Sequence, residues 1–483
     1  GALQMQIGVY MKKKILKKVM GVAIAVMLIG SVLAGCQKAA DTSGTADSSS
    51  TGDIKAGTDE KVSSSSDEKI VIRLATPWTP GSVSGAGDQI EALIQKFMEE
   101  HPNVTIMHDS QSTNDLRTKL TVEMAAGNPP DVSWCPVNYA REFIKDGLII
   151  DWKDVIDDPA HPEWKEWFSE ATIASLTEED GTILLAPQEG SIDGLYYNKK
   201  MFDENGWKAP ATWDDLMNLI PVIKEKGISP LVTGGKDSRF AWMASAILVR
   251  TTGLEKFRSL CLGADLTNWN SAETGFPKAM DKFKELVDAG AFPSGVLGMS
   301  ATEADQMFAT GKAAMYYEGA WKPNNFLSAG GEEFLENVGR VDFPAMTDCP
   351  DGNANTRVGG CILGFMVASG LDPEKEALCI ELTKQICSPE FNVPIMEKGA
   401  FVYAGNAEYN TEGCSAVMND LIDAYRTAES YIPSMDCIAP PAVDLAIKQT
   451  AFPGIITGEY NAEQAVDEVQ KAAEDYAASL TQE

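Results

Sequence analysis

The chain has 483 residues, 44% of them hydrophobic and 23% charged, with 40 Lys and Arg against 70 Asp and Glu for a net charge of −30. That balance disfavours DNA or RNA as a partner, because a phosphate backbone would be repelled. The length exceeds one comfortable core, so two lobes are expected.

In chain order, residues 1–10 precede the expected start at Met11 and are set aside as an upstream artefact. Met11-Lys12-Lys13-Lys14 then leads through an apolar run to Leu33-Ala34-Gly35-Cys36. A basic head, an apolar stretch and small residues before a cut site compose a secretory signal over 11–35. The run from Val19 to Ala34 is short for a helix that must cross about 30 Å of hydrocarbon. Its ending resembles a bacterial lipobox. That resemblance implies cleavage before Cys36, lipidation of its thiol with a palmitate-type chain, and anchoring to the outer face of the cytoplasmic membrane of a Gram-positive cell. An ordinary signal peptide with a chance Cys is the rival. Residues 36–69, rich in Ser, Thr, Gly and Asp, bury too little apolar surface to offset their ordering entropy. They are expected to form a disordered spacer of roughly 30 Å root-mean-square span.

The body from Ile70 onward alternates strand and helix signals, which argues an α/β fold. Ile70–Thr76 reads as a strand. Ile90, Leu93, Ile94, Phe97 and Met98 fall at helical spacing behind Asp88, a cap candidate with Glu91 three residues on. Val104–Met107 is the next strand. Thr212, with Asp215 in the first turn, opens another helix. The C-terminal stretch from Asn461 puts Ala465, Val466, Val469, Ala472, Ala473, Tyr476 and Leu480 on one face.

Enzyme signals are scarce. Three histidines, 101, 108 and 161, come with no nucleophile turn. The loop Gly81–Gly87 lacks both the P-loop ending and the dinucleotide pattern, so it reads as a loop that aims a helix N-terminus at a cleft. Asp351-Gly352-Asn353 lacks EF-hand spacing. Eight cysteines besides Cys36 show no metal spacing. Cys379 and Cys387, about 12 Å apart along a helix, cannot bridge. Cys349 with Cys361 and Cys414 with Cys437 leave disulfide and free thiol both open. No cofactor and no metal are expected. Glu318 and Asp193 are the carboxylates of most interest, and hydrogen bonding to a ligand suits each better than acid catalysis.

The tryptophans say more. Trp78, Trp134, Trp242 and Trp321 fall at or beyond element ends among Pro, Gly and polar residues, where α/β proteins receive ligands. Flat aromatic faces suit the apolar faces of sugar rings. Trp164 and Trp167 instead read as a surface helix, and Trp213 as packing its own helix start.

Five blocks then occur in order: Leu120–Val132 with its Gly127-Asn128-Pro129-Pro130-Asp131 core, Gly181–Pro187, Gly194–Lys199, Pro210–Asp215, and Gly311–Met315 ending at Gly319-Ala320-Trp321. Together they resemble the extracellular solute-binding proteins of family 1, similar to maltose-binding proteins, from about Ile70 to the end. The resemblance implies a two-lobe, type II periplasmic-binding-protein-like α/β fold, each lobe a mixed sheet flanked by helices and joined by hinge strands. The lobes are expected at 70–187 with 362–407 and at 188–361 with 408–483. Crossings are expected near 187–191, 359–363 and 405–411.

The implied function is carbohydrate capture, mono- or oligosaccharide, for the permease subunits of an ABC importer, by a non-enzymatic, lipid-anchored monomer. Trp321 matches the family's sugar-stacking Trp, Asn138 lies where relatives carry a ligand-binding acid, and Trp242 lies where a second aromatic platform is common. Trp78, Asp109, Ser191, Asp193, Glu318 and Arg357 flank expected cleft loops, and Tyr431 and Asp436 are added from the C-terminal segment. A polyamine or peptide ligand on the same fold is the first alternative. A surface glycosidase and a structural or adhesive protein follow.

Overall fold

The computed structural model describes residues 69–82, 85–262, 268–349, 352 and 355–480, and of these the side chains at 114, 436, 441 and 480 are not described. The expected signal, Cys36, the spacer to residue 68 and the Asp351 and Asn353 positions lie outside the described residues.

Among the described residues, ten strands build a mixed sheet: β1 (Ile70–Thr76), β2 (Val104–Ser110), β3 (Val132–Pro136), β4 (Ala186–Asn198), β5 (Ser229–Val232), β6 (Ala313–Gly319), β7 (Val338–Val341), β8 (Thr356–Val367), β9 (Val402–Tyr403) and β10 (Ser430–Ile432). The main path runs β2-β1-β3-β8-β4-β6-β5, while β7 and β9 pair with β4 and β10 pairs with β8. The fold is two-lobed α/β, and the two long strands β4 and β8 belong to both ends of it. In β8, Val367 to Leu363 lie opposite β3, whereas Thr356 to Val358 lie beside β10. In β4, Ala186 and Pro187 pair with that first part of β8, whereas Asp193 to Tyr197 pair with β6.

The pairing of β4 with β8 slips between Pro187 and Glu189 and again before Gly190. Such irregularities bend a strand and re-aim its side chains. Opposite Ile192 stands Gly359 at φ 139°, where an added Cβ would collide with the Ser191 carbonyl oxygen. Only glycine combines that backbone with so close an approach.

Alternation in β1 buries Ile72 and Leu74 and leaves Val71 41% exposed. The helix after it begins at Ala86, not at an Asp88 cap. Gly85 takes the cap position in the left-handed region, and the Asp88 carboxylate accepts from the Gly81 N–H at 2.8 Å, closing the preceding loop. The Thr212–Asp215 capping box is present, and the helix Ala462–Leu480 buries Ala465, Val466, Val469 and Ala473. Trp164 is no surface residue. It is fully buried, edge-on to Trp152 at 5.8 Å and stacked on Phe168 at 6.1 Å, because the segment around it tucks under the first lobe. All eight described cysteines are free, so Cys349, Cys361, Cys414 and Cys437 form no bridge.

Candidate functional site

A cleft of about 860 Å³ is lined from one side by Trp78 beyond β1, by Trp134 on β3, and by Asn138 and Tyr139 at the start of the next helix. From the other side come Asp237, Arg239 and Trp242 beyond β5, then Trp321 and Asn324 beyond β6. Glu189 on β4 and Leu363 on β8 lie between them, on the strands that run through both lobes. Strand ends and the loops after them supply most of this wall, the usual place for a ligand in α/β folds.

The second-lobe wall is an aromatic corner with a charged frame. The rings of Trp242 and Trp321 meet edge to face, centroids 4.9 Å apart at 78°. Gly319 lets this happen, because a Cβ there would overlap the Trp321 ring. The Arg239 guanidinium lies 3.9 Å from the Trp242 centroid and 5.7 Å from that of Trp321. Its Nε is 3.3 Å from Glu318 Oε1, a charge contact without hydrogen-bond geometry. Glu318 has no exposed surface, and its second oxygen accepts from the Gly319 N–H at 3.1 Å. Behind it, buried Lys322 donates to Asp305 at 2.7 Å and stands 3.8 Å from Glu318. Two acids and two bases thus hold the turn that presents both tryptophans.

On the first-lobe wall, Trp78 is 8% exposed and packs on Phe365 and Phe391 at 5.6 and 5.4 Å. Trp134 is 3% exposed, and its indole N–H is buried without a hydrogen-bond partner. Arg117 lies over its ring at 5.7 Å. Glu189 keeps a partial opening to the cleft while protein surrounds most of it, and desolvation pushes its carboxyl up to about 8, opposed by the charge of Arg117.

That shift makes a pH prediction. A proton bound by the folded state up to about pH 8 leaves the unfolded chain near 4.3. The stability from this group is complete below the lower value and is lost as pH rises through the upper one. Across that window Glu189→Gln should gain about 1–3 kcal/mol relative to the parent, allowing for the solvent that reaches the group. Melting curves of unliganded protein at pH 4.5, 6 and 8.5 check this. Parallel curves for parent and variant would contradict it.

Of the residues singled out from sequence, Trp78, Trp134, Asn138, Trp242 and Trp321 line the cleft. Glu318 lies behind its wall. Asp109, Asp193, Ser191, Arg357 and Tyr431 are placed elsewhere. Asp109 is held by Lys119 and by Gln111, the latter at 2.9 Å. Asp193 accepts from the Tyr317 hydroxyl at 3.1 Å. Ser191 is buried on β4, and Arg357 pairs with Asp342 at 3.0 Å. Tyr431 stacks on Tyr425 at 5.0 Å and donates to its carbonyl. Asp436 belongs to the short helix Met435–Ile438, and its side chain is not described.

Arg117, Glu189, Asp237, Arg239 and Asn324 were not foreseen. Arg239 carried a readable signal, because it stands three residues before Trp242, one helical turn, where a guanidinium can cover an indole. Among the described residues, no three His, Cys, Asp or Glu gather as a metal site.

Against known proteins, residues 81–357 match the family model of the bacterial extracellular solute-binding proteins. A Brucella abortus (strain 2308) protein named only for binding is 25% identical over 234 residues, which is 47% of this chain and 54% of its own. The match thus spans about half the length of such curated relatives. A Rhizobium meliloti (strain 1021) protein, "Probable sugar-binding periplasmic protein", is 23% identical over 402 residues, covering 82% of this chain and 92% of its own. Among solved structures, a chitin oligosaccharide binding protein superposes with a TM-score of 0.70 at 23% identity, over 84% of this chain and 98% of that one. Fold, cleft and family model agree, and the chain belongs to the bacterial extracellular solute-binding proteins.

Proposed function

We propose that this chain captures a carbohydrate in the cleft and delivers it to the permease of an ABC importer, without chemical turnover. The observation that carries the reading is the Trp242–Trp321 corner on the cleft wall, two aromatic faces framed by polar groups. Sugar rings need both, apolar faces for their C–H sides and hydrogen-bonding groups for their hydroxyls. Relatives and fold neighbours named for sugar or oligosaccharide binding support it. Glu318, one of the two carboxylates singled out from sequence, is sealed from solvent and paired, which favours binding over glycoside hydrolysis.

Ligand bridging both walls favours the closed arrangement by its differential affinity for it. The reading takes the lobes as 70–187 with 362–407 and 188–361 with 408–483, and the passage of β4 and β8 through both ends of the sheet supports a two-lobe division. Export and a lipid anchor at Cys36 on the outer face of the cytoplasmic membrane complete the reading, on the strength of the Met11–Cys36 pattern. Calorimetric and thermal-shift titration of the purified protein against a broad mono- and oligosaccharide panel tests it. A saturable heat and a raised melting temperature are expected with at least one sugar, and none with any would overturn it.

A further inference from the structure

Among the described residues, one cation of the cleft forms no ion pair. Arg239 has Glu318 at 3.3 Å, and Lys448 has Asp444 at 2.9 Å. Among the carboxylates, Asp237 is engaged by the Ala301 N–H at 2.7 Å. Arg117, on the helix Thr113–Ala125, forms no ion pair among the described residues, and its Nε is buried without a hydrogen-bond partner. Its neighbour Trp134, 3% exposed, also keeps a buried, unpartnered N–H, and both residues line the cleft.

Guanidinium and indole are donors only. The guanidinium stands over the indole ring, 5.7 Å from its centroid, and what sets this corner apart from the other unpartnered indoles is its place on the cleft, where an acceptor can enter from outside the protein. Glu189 is the cleft carboxylate that feels Arg117, and no hydrogen bond joins them. Burial holds it largely protonated at neutral pH, which leaves the guanidinium charge standing. A hydroxyl would meet a donor and leave that charge unbalanced. An oxyanion supplies lone pairs for both groups and the opposite charge, in the planar geometry that a guanidinium fork matches.

Resting on the carbohydrate reading above, we propose that the Arg117–Trp134 corner receives an oxyanion of the solute. The cleft then takes an acidic sugar derivative, bearing a carboxylate or a phosphate, ahead of its neutral counterpart.

Matched pairs test this by calorimetry: uronic-acid-containing oligosaccharides against their neutral parents, and hexose phosphates against free hexoses. The two arms separate carboxylate from phosphate. At least one acidic member should bind tenfold or more tighter than its parent. Arg117→Met should bring that ratio to about one, Arg117→Lys should keep part of it, and Trp134→Phe, which replaces the indole with a smaller aromatic ring and removes the N–H, should lower it several-fold. Melting curves of each variant report folding, and the ratio is read within each folded variant. Neutral sugars binding as tightly as acidic ones would overturn the inference and leave the carbohydrate reading intact, as would an unchanged ratio in Arg117→Met. Failure of every acidic and neutral member to bind would overturn both.

Discussion

Trp321→Ala should weaken sugar binding by about 30- to 1,000-fold, the cost of removing an aromatic anchor worth roughly 2–4 kcal/mol. The Trp321 ring lies against Gly319, edge to face with Trp242, and under the reach of Arg239. Truncation removes the platform, and it also leaves Trp242 and the guanidinium without their neighbour. Trp242→Ala should cost less, because Arg239 covers one face of that ring at 3.9 Å. Both side chains are only partly buried, so melting temperatures should stay within a few degrees of the parent. Calorimetry with whichever sugar binds the parent checks the order. A Trp321→Ala protein that retains affinity would remove the aromatic corner from recognition.

The second large effect concerns stability. Lys322→Met should destabilise the protein by about 3–5 kcal/mol, because it leaves Asp305 and Glu318 charged and buried beside one remaining cation. An apolar replacement of both members, Lys322→Met with Asp305→Leu, should recover much of that loss, since only Glu318 then remains, with Arg239 beside it. Denaturant unfolding of the two variants measures the difference. Equal losses would mean that the pair is no unit. The same network holds the turn from Gly319 to Lys322, so Lys322→Met should also loosen the Trp321 platform and reduce affinity in step.

The aromatic part of the site was legible because tryptophans at element ends stand out locally. Trp78, Trp242 and Trp321 needed no knowledge of which strand lies beside which. Of the polar part, Asn138 was legible and the rest was not. Ser191 was favoured over Glu189 within the same crossing segment, yet Glu189 faces the cleft and Ser191 is buried. Alternation along a strand places residues two apart on one side, and the slip of register around Glu189 breaks that rule where it mattered. Tyr431, taken from the C-terminal segment, is held by Tyr425 six residues before it, whereas Asp193 and Arg357, chosen for flanking cleft loops, are engaged by Tyr317 and Asp342, 124 and 15 residues away. Those engagements depend on strand order, which composition and spacing do not reveal. Trp164 failed for a like reason. Its charged neighbours are real, but the short helix lies on Trp152 and Phe168.

The placement of β8 has a consequence for how the chain reaches this state. Within the sheet β8 stands between β3 and β4, with Val132 opposite Val367 and Ala186 opposite Phe365. Both neighbours are complete long before β8 exists in a growing chain. Until residue 367 is available, β3 has one edge unpaired and β4 lacks the partner that connects it to the first lobe. Such long-range closure is slow, and its unpaired edges invite association with other chains. The strand that joins the two halves therefore arrives late, with β9 and β10 still to follow, so the linking of the lobes waits on the C-terminal part of the chain.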